Sequence, residues 1–562
     1  MKILGVWDGH DSGAAMIDGN RILFAINEER LTRRKLEIAF PTRSIETCLE
    51  YTGTSPEEIS EVAISTSDLA KTVARIFPSL REEYYLIRRR KKGLGKVTFS
   101  KKQFKYKLTE YPPWTPTRWL SRYNIRQNMK RLGFRDFNLH LVDHHHSHAA
   151  TAAFCSGLDG GLVITLDGLG DGLSGSIYRY GDGRLENISS LSARHSLGVF
   201  FEHVTNLMNM RELEDEGKVM ALANYAYPVD DAENPMMELI QVDGLAIECR
   251  HTSLGMYEKL RKILWYYPSE QFAYMAQRTL EVKIIELTQN AMEATGLHHL
   301  CLAGGVFSNV KVNRLLRILQ GTEKCFVFPH MGDGGLALGA ALVANCRLKG
   351  PYHVSLNDLC VGPEYSDQEI ERALKKSKVS YRRSADVVKD VAEVISGGGI
   401  VLWFQGRMEL GPRALGARSI LARPDSEVIK NELNLRLKKR VWYQPFCPSM
   451  LEEDAKEVLD DYDGAPNRFM TMAYMVRENK KDLLRGVINV DGSCRPQILL
   501  QDDSMFVRLL REVKKSTGHG ILLNTSFNIH GEPLVCSPQD AILTFLRTNS
   551  KFMAMGSFLI EK

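Results

Sequence analysis

The first half of the chain carries the same pattern of apolar and polar positions twice. An apolar run at residues 3–6 is followed by Asp8-Gly9, a second apolar run and a tight turn. The pattern returns with the run at residues 163–166, which leads into Asp167-Gly168. Each copy predicts two strands joined through turns rich in aspartate and glycine. Either two β-hairpins are alike by chance, or an α/β domain is duplicated, with a ligand in the cleft between its halves.

A third turn of the same kind follows another apolar run. It contains Gly304 and Gly305, and Asn309 leads from it into a predicted helix. Glycines at a strand-to-helix turn let the backbone approach a nucleotide closely, and such turns offer N–H groups to phosphates. Together with Asp167 and Gly168 of the second repeat, these residues predict a nucleotide-binding domain of the actin, hexokinase and heat-shock type.

The order of runs and turns divides the chain into two predicted domains. Residues 1–350 form the first, residues 351–385 a connecting segment, and residues 386–562 the second. In the second domain, arginines recur every five or six residues among glycines and a proline, at Arg407, Arg413, Arg418 and Arg423. This mixture is not typical of an amphipathic surface helix. It predicts an irregular anion-binding loop, and scattered surface charge is the alternative.

Composition excludes several classes of protein. Hydrophobic residues make up 44% and charged residues 25% of the 562 positions, as in a globular protein. No uncharged apolar stretch is long enough for a membrane span, and Asp8 interrupts the apolar run that a signal peptide needs. The ten cysteines form no C-x-x-C pair, which argues against a zinc ribbon or a disulfide framework. A cytoplasmic protein is therefore predicted.

The net charge of +5 is small for this length but is unevenly distributed. Ten Lys or Arg lie between Arg88 and Lys107, interleaved with aromatic residues. One interpretation of this basic insertion is a solvated surface segment. The other is a site for an anionic substrate or an RNA backbone.

A run of histidines is the sharpest local signal. Asp143 is placed to cap an alanine-rich helix on which His144 and His148 stand four residues apart. Both imidazoles then point to the same side and can share one metal ion. Asp333, at a glycine-flanked turn, is the candidate third ligand, and such a set leaves coordination positions open. The alternative is a pair of histidines that only hydrogen-bond near a helix start, with Asp333 as a helix N-cap.

His10 lies at the first turn, where the second repeat has Leu169. Its imidazole can take a proton from an attacking hydroxyl, unless it is a turn histidine that faces water. Lys35 can supply a cation near a phosphate or the substrate. The turn Gly217-Lys218 enters another predicted helix, and the pattern alone assigns it no function.

These motifs, taken together, resemble those of the carbamoyltransferase family, which includes nodulation protein U and the cephalosporin, novobiocin and tobramycin carbamoyltransferases. The resemblance covers nearly the whole chain in the right order. The strings that carry it are HDSGAA (10–15), EERLT (28–32), DHH (143–145) with HAA (148–150), EGK (216–218), LAGGV (302–306), DGG (333–335), GPRALG (411–416) with RSI (418–420), PF (445–446) with PS (448–449), VDG (490–492), NTSFN (524–528) and GEP (531–533).

The resemblance implies an α/β protein with two domains. The N-terminal one is expected to be a duplicated actin-like (ASKHA) domain, similar to the tRNA threonylcarbamoyladenosine transferase, and the C-terminal one an α/β domain similar to the YrdC threonylcarbamoyl-AMP synthase. The implied activity is that of an O-carbamoyltransferase. Carbamoyl phosphate and ATP, with Mg²⁺, would give carbamoyl adenylate in the C-terminal domain, and the N-terminal domain would pass the carbamoyl group to a hydroxyl of a small acceptor. The implied metal is Fe²⁺. Nucleic acid and membrane are not expected partners, and no oligomeric state is indicated.

The resemblance also assigns roles to residues. His144, His148 and Asp333 would bind the metal, and His10 would be the general base, assisted by Asp8. Lys35 would line the acceptor or phosphate site. Residues expected to hold carbamoyl phosphate and ATP are Arg413, Arg418, Lys438, Arg440, Asn524 and Asn528. Residues expected around the nucleotide are Asp167, Gly168, Gly217, Lys218, Gly304, Gly305 and Asn309.

Two departures from the family pattern stand out. Residue 530 is His where several relatives have Arg, which puts one anion contact of the synthase site in question. The basic insertion from Arg88 to Lys107 matches nothing in the family, and it lies where contacts with the acceptor are expected. We therefore expect an acceptor that differs from the antibiotics. Two other functions stay open at this point: a tRNA-modifying transferase that holds RNA through the insertion, and a non-catalytic nucleotide-binding module.

Overall fold

The computed structural model describes residues 1–90, 104–465 and 467–562. The central part of the basic insertion, residues 91–103, therefore lies outside the described residues. The chain divides into a first unit, Met1–Glu28 with Leu36–Asn357, and a second unit, Glu29–Lys35 with Asp358–Lys562. Within the described residues, no helix combines the length and the apolar character that a bilayer crossing requires.

Two five-stranded sheets of the first unit have the same topology. In the first sheet the spatial order is Arg21–Asn27, Gly13–Asp18, Lys2–Trp7, Glu61–Ser65 and Asn138–Val142, and in the second it is Arg184–Ser192, Leu173–Gly181, Gly160–Gly170, His299–Ala303 and Lys324–Val327. In both sheets the first three strands pair antiparallel, and the last two join in parallel. This equivalence confirms the α/β class and the predicted duplication.

Two alanine-rich helices bring the sheets together. His144–Phe154 packs on the second sheet, Leu336–Lys349 packs on the first, and the two helices pack on each other. Small residues make this approach possible, because a Cβ at Gly339 would lie 2.2 Å from the carbonyl oxygen of Ser147. The first turns of both helices consequently open onto the same space between the sheets.

The other helices of the first unit surround these layers. One 27-residue helix, Ser269–Thr295, packs against both Glu216–Leu222 and Val310–Arg317, which begin next to two of the predicted nucleotide turns. The remaining helices are Glu28–Thr32 (shared with the second unit), Thr42–Thr52, Leu69–Ile76, Pro78–Arg88, Thr115–Arg131, Leu197–Leu207 and Ser253–Tyr266, and a small hairpin pairs Ile240–Asp243 with Ala246–Cys249.

The second unit is built on one mixed eight-stranded sheet. Its spatial order is Tyr381–Arg383, Phe558–Glu561, Phe552–Met555, Val401–Phe404, Arg418–Ala422, Ile521–Ser526, Cys447–Leu451 and Gln497–Leu499. Helices Val387–Ser396 and Met505–Thr517 pack on each other and on a core that includes Trp403. The other helices are Asp367–Ser377, Glu427–Asn431, Glu452–Val458 and Pro538–Arg547, and Tyr474–Met475 pairs with Ser493–Cys494.

The segment predicted as a connection, residues 351–385, contains regular structure. Its helix Asp367–Ser377 begins with a capping box between Ser366 and Glu369, and its strand Tyr381–Arg383 forms an edge of the large sheet. The family-like segment Glu29–Lys35 belongs to the second unit although its sequence neighbours belong to the first. The division into two units does not test the predicted domain limits of 1–350 and 386–562, which therefore stay a prediction.

Candidate metal centre and anion site

Four side chains of the first unit converge on one point between the sheets. His144 Nε2 lies 3.1 Å from Asp167 Oδ2 and 3.5 Å from Asp333 Oδ1. His148 Nε2 lies 3.4 Å and 3.6 Å from the same two oxygens. The four donor atoms all lie within 4.8 Å of one another, so a single ion can contact all of them. We call His144, His148, Asp167 and Asp333 the His–Asp group.

The helix start that carries the histidines is held by acidic neighbours. Asp143 occupies the predicted N-cap position, but its side chain makes no capping hydrogen bond. Instead the N–H of His144 donates to a carboxylate oxygen of Asp171 (2.9 Å). The Nδ1 atom of His144 pairs with Thr66 Oγ1 (3.0 Å), which directs Nε2 toward the two aspartates. Gly170 leaves room for the ring, since a Cβ there would lie 2.2 Å from His144 Cγ.

The donor atoms of the His–Asp group fit a divalent transition metal. His148 Nε2 is buried and has no hydrogen-bond partner within the described residues, although it faces two carboxylates. Buried polar atoms without a partner are rare, and an ion bound at this point would give the nitrogen one. Two imidazoles and two carboxylates suit ions such as Fe²⁺, Mn²⁺ or Zn²⁺.

The neighbouring His145 has a different environment. Its Nδ1 pairs with Thr165 Oγ1 at 2.9 Å. Burial, together with the nearby His144 and His148, lowers the pKa of His145 to about 3, so this imidazole is neutral. His145 thus supports the packing of the helix on the strand that ends at the His–Asp group.

Asp333 connects the His–Asp group with His10. Its Oδ1 faces the two histidines, while its Oδ2 lies 2.9 Å from His10 Nε2. Burial alone would lower the pKa of His10, but the Asp333 carboxylate outweighs burial and raises it. The His10 side chain remains 27% exposed, so a ligand can still reach it.

Asp8, expected to assist His10, has other partners. Its carboxylate accepts hydrogen bonds from Arg75 (2.9 and 3.0 Å) and lies 3.0 Å from Lys71 and 3.3 Å from Arg81. Burial would raise the pKa of Asp8, but the three cations outweigh burial and hold it well below its usual range. In this geometry the carboxylate next to His10 is that of Asp333, and Asp8 is the shared ion-pair partner of three cations.

Two groups of the predicted nucleotide residues lie at helices that pack on Ser269–Thr295, Gly217 and Lys218 in Glu216–Leu222 and Asn309 before Val310–Arg317. Gly304 has φ of +102°, and a Cβ there would lie 2.1 Å from the carbonyl oxygen of Leu166. Asn309 caps the helix Val310–Arg317 and bonds to Gln277 on the long helix. Lys218 pairs with Asp215 (2.7 Å), and a Cβ at Gly217 would meet no atom within 4 Å. Gly168 lies beside Asp167 at the edge of the His–Asp group.

The second unit contains a cluster of cations, of which Lys438 is buried and Arg413 and Arg440 are half-buried. Burial, followed by the charge of Arg495, lowers the pKa of Arg413 to about 9. Burial, followed by the charges of Arg440 and Lys35, holds the pKa of Lys438 well below its usual range. Arg413, Lys438 and Arg440 form no ion pair with a carboxylate in the part of the chain that the structure describes. We call Arg413, Lys438, Arg440, Arg495 and Lys35 the cation cluster.

Comparison with known proteins follows the same two-part division. Residues 2–342 match the carbamoyltransferase N-terminus and residues 392–562 match the carbamoyltransferase C-terminus. The chain belongs to the carbamoyltransferase family. An uncharacterized protein of Methanocaldococcus jannaschii is 30% identical over the whole of both chains. The nodulation protein NolNO of Sinorhizobium fredii is 33% identical, over 98% of this chain and 79% of its own length.

The solved structures that resemble this carbamoyltransferase-family enzyme are less similar to it in sequence than these two relatives are. HypF of T. kodakarensis covers 62% of this chain with a TM-score of 0.34 and 14% identity. An activator of the 2-hydroxyisocaproyl-CoA dehydratase from Clostridium difficile gives a TM-score of 0.35 at 14% identity. Similarity at this level says nothing about the chemistry of the enzyme.

Three further predicted anion-site residues of the enzyme have different surroundings. Arg418 is fully buried, donates to the carbonyl oxygens of Gln405 (2.8 Å) and Gly406 (3.1 Å), and stacks 3.6 Å from the Phe404 ring. Asn528 Oδ1 accepts from Lys438 Nζ at 2.8 Å. Asn524 Oδ1 is buried and has no hydrogen-bond partner within the described residues. Asn528 therefore contacts the cation cluster directly, whereas the guanidinium of Arg418 supports the backbone.

The sequence patterns missed two members of these groups. Asp167 was predicted to bind nucleotide, and its Oδ1 does accept from the N–H of Gly305 (3.2 Å), but its Oδ2 belongs to the His–Asp group. Its place at the end of a repeated strand carried no sign of a metal ligand. Arg495 lies outside the arginine loop, and its guanidinium donates to Cys447 Sγ at 2.8 and 3.1 Å. An isolated arginine of this kind has no sequence signature.

Proposed function

We propose that this enzyme makes carbamoyl adenylate from carbamoyl phosphate and ATP, and then transfers the carbamoyl group to a hydroxyl of a small molecule. The observation that carries the proposal is the cation cluster, in which Lys438 is buried, Arg413 and Arg440 are half-buried, and none of the three pairs with a carboxylate of the described residues. Buried cations are costly unless an anion neutralises them. Carbamoyl phosphate and the phosphates of ATP are anions of the required charge, and arginine side chains suit their geometry.

The first half-reaction activates the carbamoyl group. Carbamoyl phosphate, ATP and one water give carbamoyl adenylate, inorganic phosphate and pyrophosphate. The cation cluster would stabilise the negative charge that develops on the departing phosphates. Lys438 is fixed for such a role, because its ammonium donates to the carbonyl oxygens of Ser526 and Asn528 and to the Asn528 side chain. It is positioned directly after the π-helical turn Glu432–Leu437, a kind of distortion frequent at functional sites.

The second half-reaction transfers the carbamoyl group. The acceptor oxygen attacks the carbamoyl carbon, the bond from that carbon to the phosphate oxygen breaks, and AMP leaves. His10 would take the hydroxyl proton, and Asp333 would orient the imidazole through the 2.9 Å contact and stabilise its charged form. The His–Asp group would hold a divalent ion, for which we propose Fe²⁺, and that ion would supply positive charge for the phosphate of the adenylate. Mg²⁺ would accompany ATP.

The described flanks of the basic insertion add no support to an RNA-modifying function. Arg88 lies 3.4 Å from Glu202 and 3.8 Å from Glu212, and Arg89 pairs with Glu214. All three ion pairs are nearly buried. These arginines are neutralised within the protein and are not displayed to a nucleic acid backbone.

Pyrophosphate release tests the proposal before any acceptor is known. The purified enzyme, given ATP and isotope-labelled carbamoyl phosphate, is expected to release pyrophosphate only when both are present. Incubation of the same mixture with a metabolite extract is expected to produce a species that carries one labelled carbamoyl group, detected by mass spectrometry. ATP hydrolysis that does not depend on carbamoyl phosphate would contradict the proposal and favour a nucleotide-binding module.

A further inference from the structure

A cavity of about 540 Å³ in the first unit opens beside His10 and the His–Asp group. Its walls come from the helices Leu69–Ile76 and Pro78–Arg88, from the helical stretch 104–109, and from the end of the strand Gly160–Gly170. Sites for small molecules commonly have volumes of about 300–1,000 Å³. The cavity is therefore large enough for a ring-bearing organic molecule.

The walls of this cavity are mostly apolar. Val73 and Leu80 contribute from two consecutive helices, Ile87 follows at the end of the second, and Leu108 and Leu169 close other sides. Aliphatic side chains form no hydrogen bonds, so they favour a ligand whose surface is largely carbon. A polyhydroxylated ligand would lose its water contacts along these walls without replacement.

The charged side chains around the cavity balance one another. Outside the His–Asp group, four carboxylates and four cations line it. Asp8 lies 3.0 Å from Lys71 and 3.3 Å from Arg81, and Glu202 accepts from Arg88 (3.4 Å) and from the Tyr106 hydroxyl (2.6 Å). Each of these groups contacts a group of opposite charge or a hydroxyl, so the walls that the structure describes present paired rather than isolated charges to a ligand.

Tyr84, one of two tyrosines in this wall, also contacts other side chains. Arg88 Nε donates to the hydroxyl oxygen of Tyr84 at 2.6 Å, and the Lys105 ammonium lies 3.5 Å from the centre of its ring. Both the hydroxyl and one face of the ring of Tyr84 therefore contact cations of the protein. In contrast His10, at the end of the cavity next to Asp333, has an imidazole that is 27% exposed.

From this arrangement we infer that the cavity binds the acceptor, and that the acceptor is an uncharged alcohol with a largely apolar, ring-containing body. The apolar body lies between the helices Leu69–Ile76 and Pro78–Arg88, and the hydroxyl lies at the His10 end. There the hydroxyl oxygen attacks the carbamoyl carbon, its proton passes to His10, and AMP departs. This inference rests on the proposed transfer activity, because that activity makes His10, at one end of the cavity, the acceptor of the hydroxyl proton.

Binding of three small probes tests the acceptor class without turnover. The probes are naphthylethanol, a neutral aromatic alcohol; naphthylacetate, which has the same ring and a carboxylate; and methyl glucoside, a polar alcohol. Saturation-transfer NMR with the intact, metal-containing enzyme measures their relative affinities. We expect naphthylethanol to bind at least about tenfold more tightly than either of the others. Equal or tighter binding of naphthylacetate or methyl glucoside would overturn the inference, as would the absence of naphthylethanol binding.

A matched pair of variants assigns the binding to this cavity. Val73→Trp adds a large ring to the cavity wall, and we expect it to weaken naphthylethanol binding about tenfold. Ile76→Trp adds the same ring to the same helix at a position that is 39% exposed and outside the cavity, and we expect no change. Unchanged binding in Val73→Trp would overturn the inference.

Pyrophosphate release without acceptor, measured on the same preparations, reports the proposed activity separately. If the enzyme releases no pyrophosphate but the probe order holds, the proposed activity fails while the cavity's preference stands. If pyrophosphate is released and the probe order is reversed, the acceptor class fails and the proposed activity stands.

Discussion

Asp8, which follows the strand Lys2–Trp7, and Asp167, which lies in the equivalent strand Gly160–Gly170, have neighbours that give them different chemistry. Asp8 faces Lys71, Arg75 and Arg81, which neutralise it completely. Asp167 faces two imidazoles, which can share an ion with it. A carboxylate surrounded by cations stabilises the fold, whereas one that faces imidazole nitrogens can share a metal ion with them. The strand thus fixes the duplicated position, and helices from elsewhere in the unit, which carry the three cations or the two imidazoles, decide its chemistry.

Replacement of Asp8 tests its structural role. Asp8→Asn would leave three buried cations without their carboxylate, and we expect the free energy of unfolding to fall by about 3 kcal/mol. Because the folded pKa of Asp8 is depressed, its contribution is present above the unfolded value of about 3.9 and is lost as the pH falls below it. Urea unfolding at neutral and acidic pH should show a difference between wild type and variant that shrinks on acidification. A constant difference would contradict the ion-pair explanation.

Metal content tests the membership of Asp167 in the His–Asp group. Asp167→Asn and His148→Ala each remove one of four donors, so we expect each to lower metal affinity by more than about 100-fold. Loss of a residue that only hydrogen-bonds to a ligand typically lowers affinity by about 10–100-fold. Plasma mass spectrometry of the purified variants measures bound metal per chain. His146→Ala is the matched control, because this histidine belongs to the same run but its ring lies 6.0 Å from the Tyr178 ring. Full metal content in Asp167→Asn would mean that Asp167 is not a ligand and that His144, His148 and Asp333 bind the metal without it.

At the scale of elements, the regular repeats were predictable and the contacts between them were not. Alternating apolar runs predicted the paired strands, and the spacing of His144 and His148 predicted a shared direction on one helix. The meeting of that helix with Asp333 depends on close packing at Gly339, which no local pattern reveals. Likewise, periodic arginines predicted an anion-binding loop. Only the fold distinguishes Arg413, which joins the cation cluster, from Arg418, whose guanidinium bonds to backbone carbonyls.

Two glycines predicted to approach the nucleotide differ in their surroundings. At Gly304 an added methyl would collide with the carbonyl oxygen of Leu166, and its φ of +102° is unfavourable for alanine. We expect Gly304→Ala to lower the free energy of unfolding by about 1–3 kcal/mol and to weaken ATP binding. Gly217→Ala has open space, and its helix should gain up to about 1 kcal/mol. Thermal unfolding measures the stability of both variants, and ATP titration measures their nucleotide binding. Wild-type ATP binding in Gly304→Ala would remove the Gly304 turn from the nucleotide site.

At the scale of the whole molecule, the segment Glu29–Lys35 was the least predictable feature. The sequence motif around it matched the family, but it gave no sign that Lys35 belongs with the second unit. Arg30 Nη2 donates to the carbonyl oxygen of Gly411 (2.8 Å), and Arg33 donates to those of Pro533 and Leu534. These long-range contacts bring Lys35 into the cation cluster, where its charge acts on Lys438. Membership of a unit is decided by such contacts and not by position along the chain.

The separation of the His–Asp group and the cation cluster into different units predicts that the two half-reactions can be lost independently. His10→Ala removes the expected proton acceptor, so transfer should fall about 10²–10⁴-fold while pyrophosphate release persists. Arg413→Ala removes one cation from the cluster, so pyrophosphate release should fall about 10²–10³-fold while transfer from supplied carbamoyl adenylate persists. Arg423→Ala is the control, since Arg423 is 37% exposed and pairs with Asp425. Loss of both half-reactions in His10→Ala would mean that His10 supports the fold, and unimpaired pyrophosphate release in Arg413→Ala would mean that the phosphates bind elsewhere.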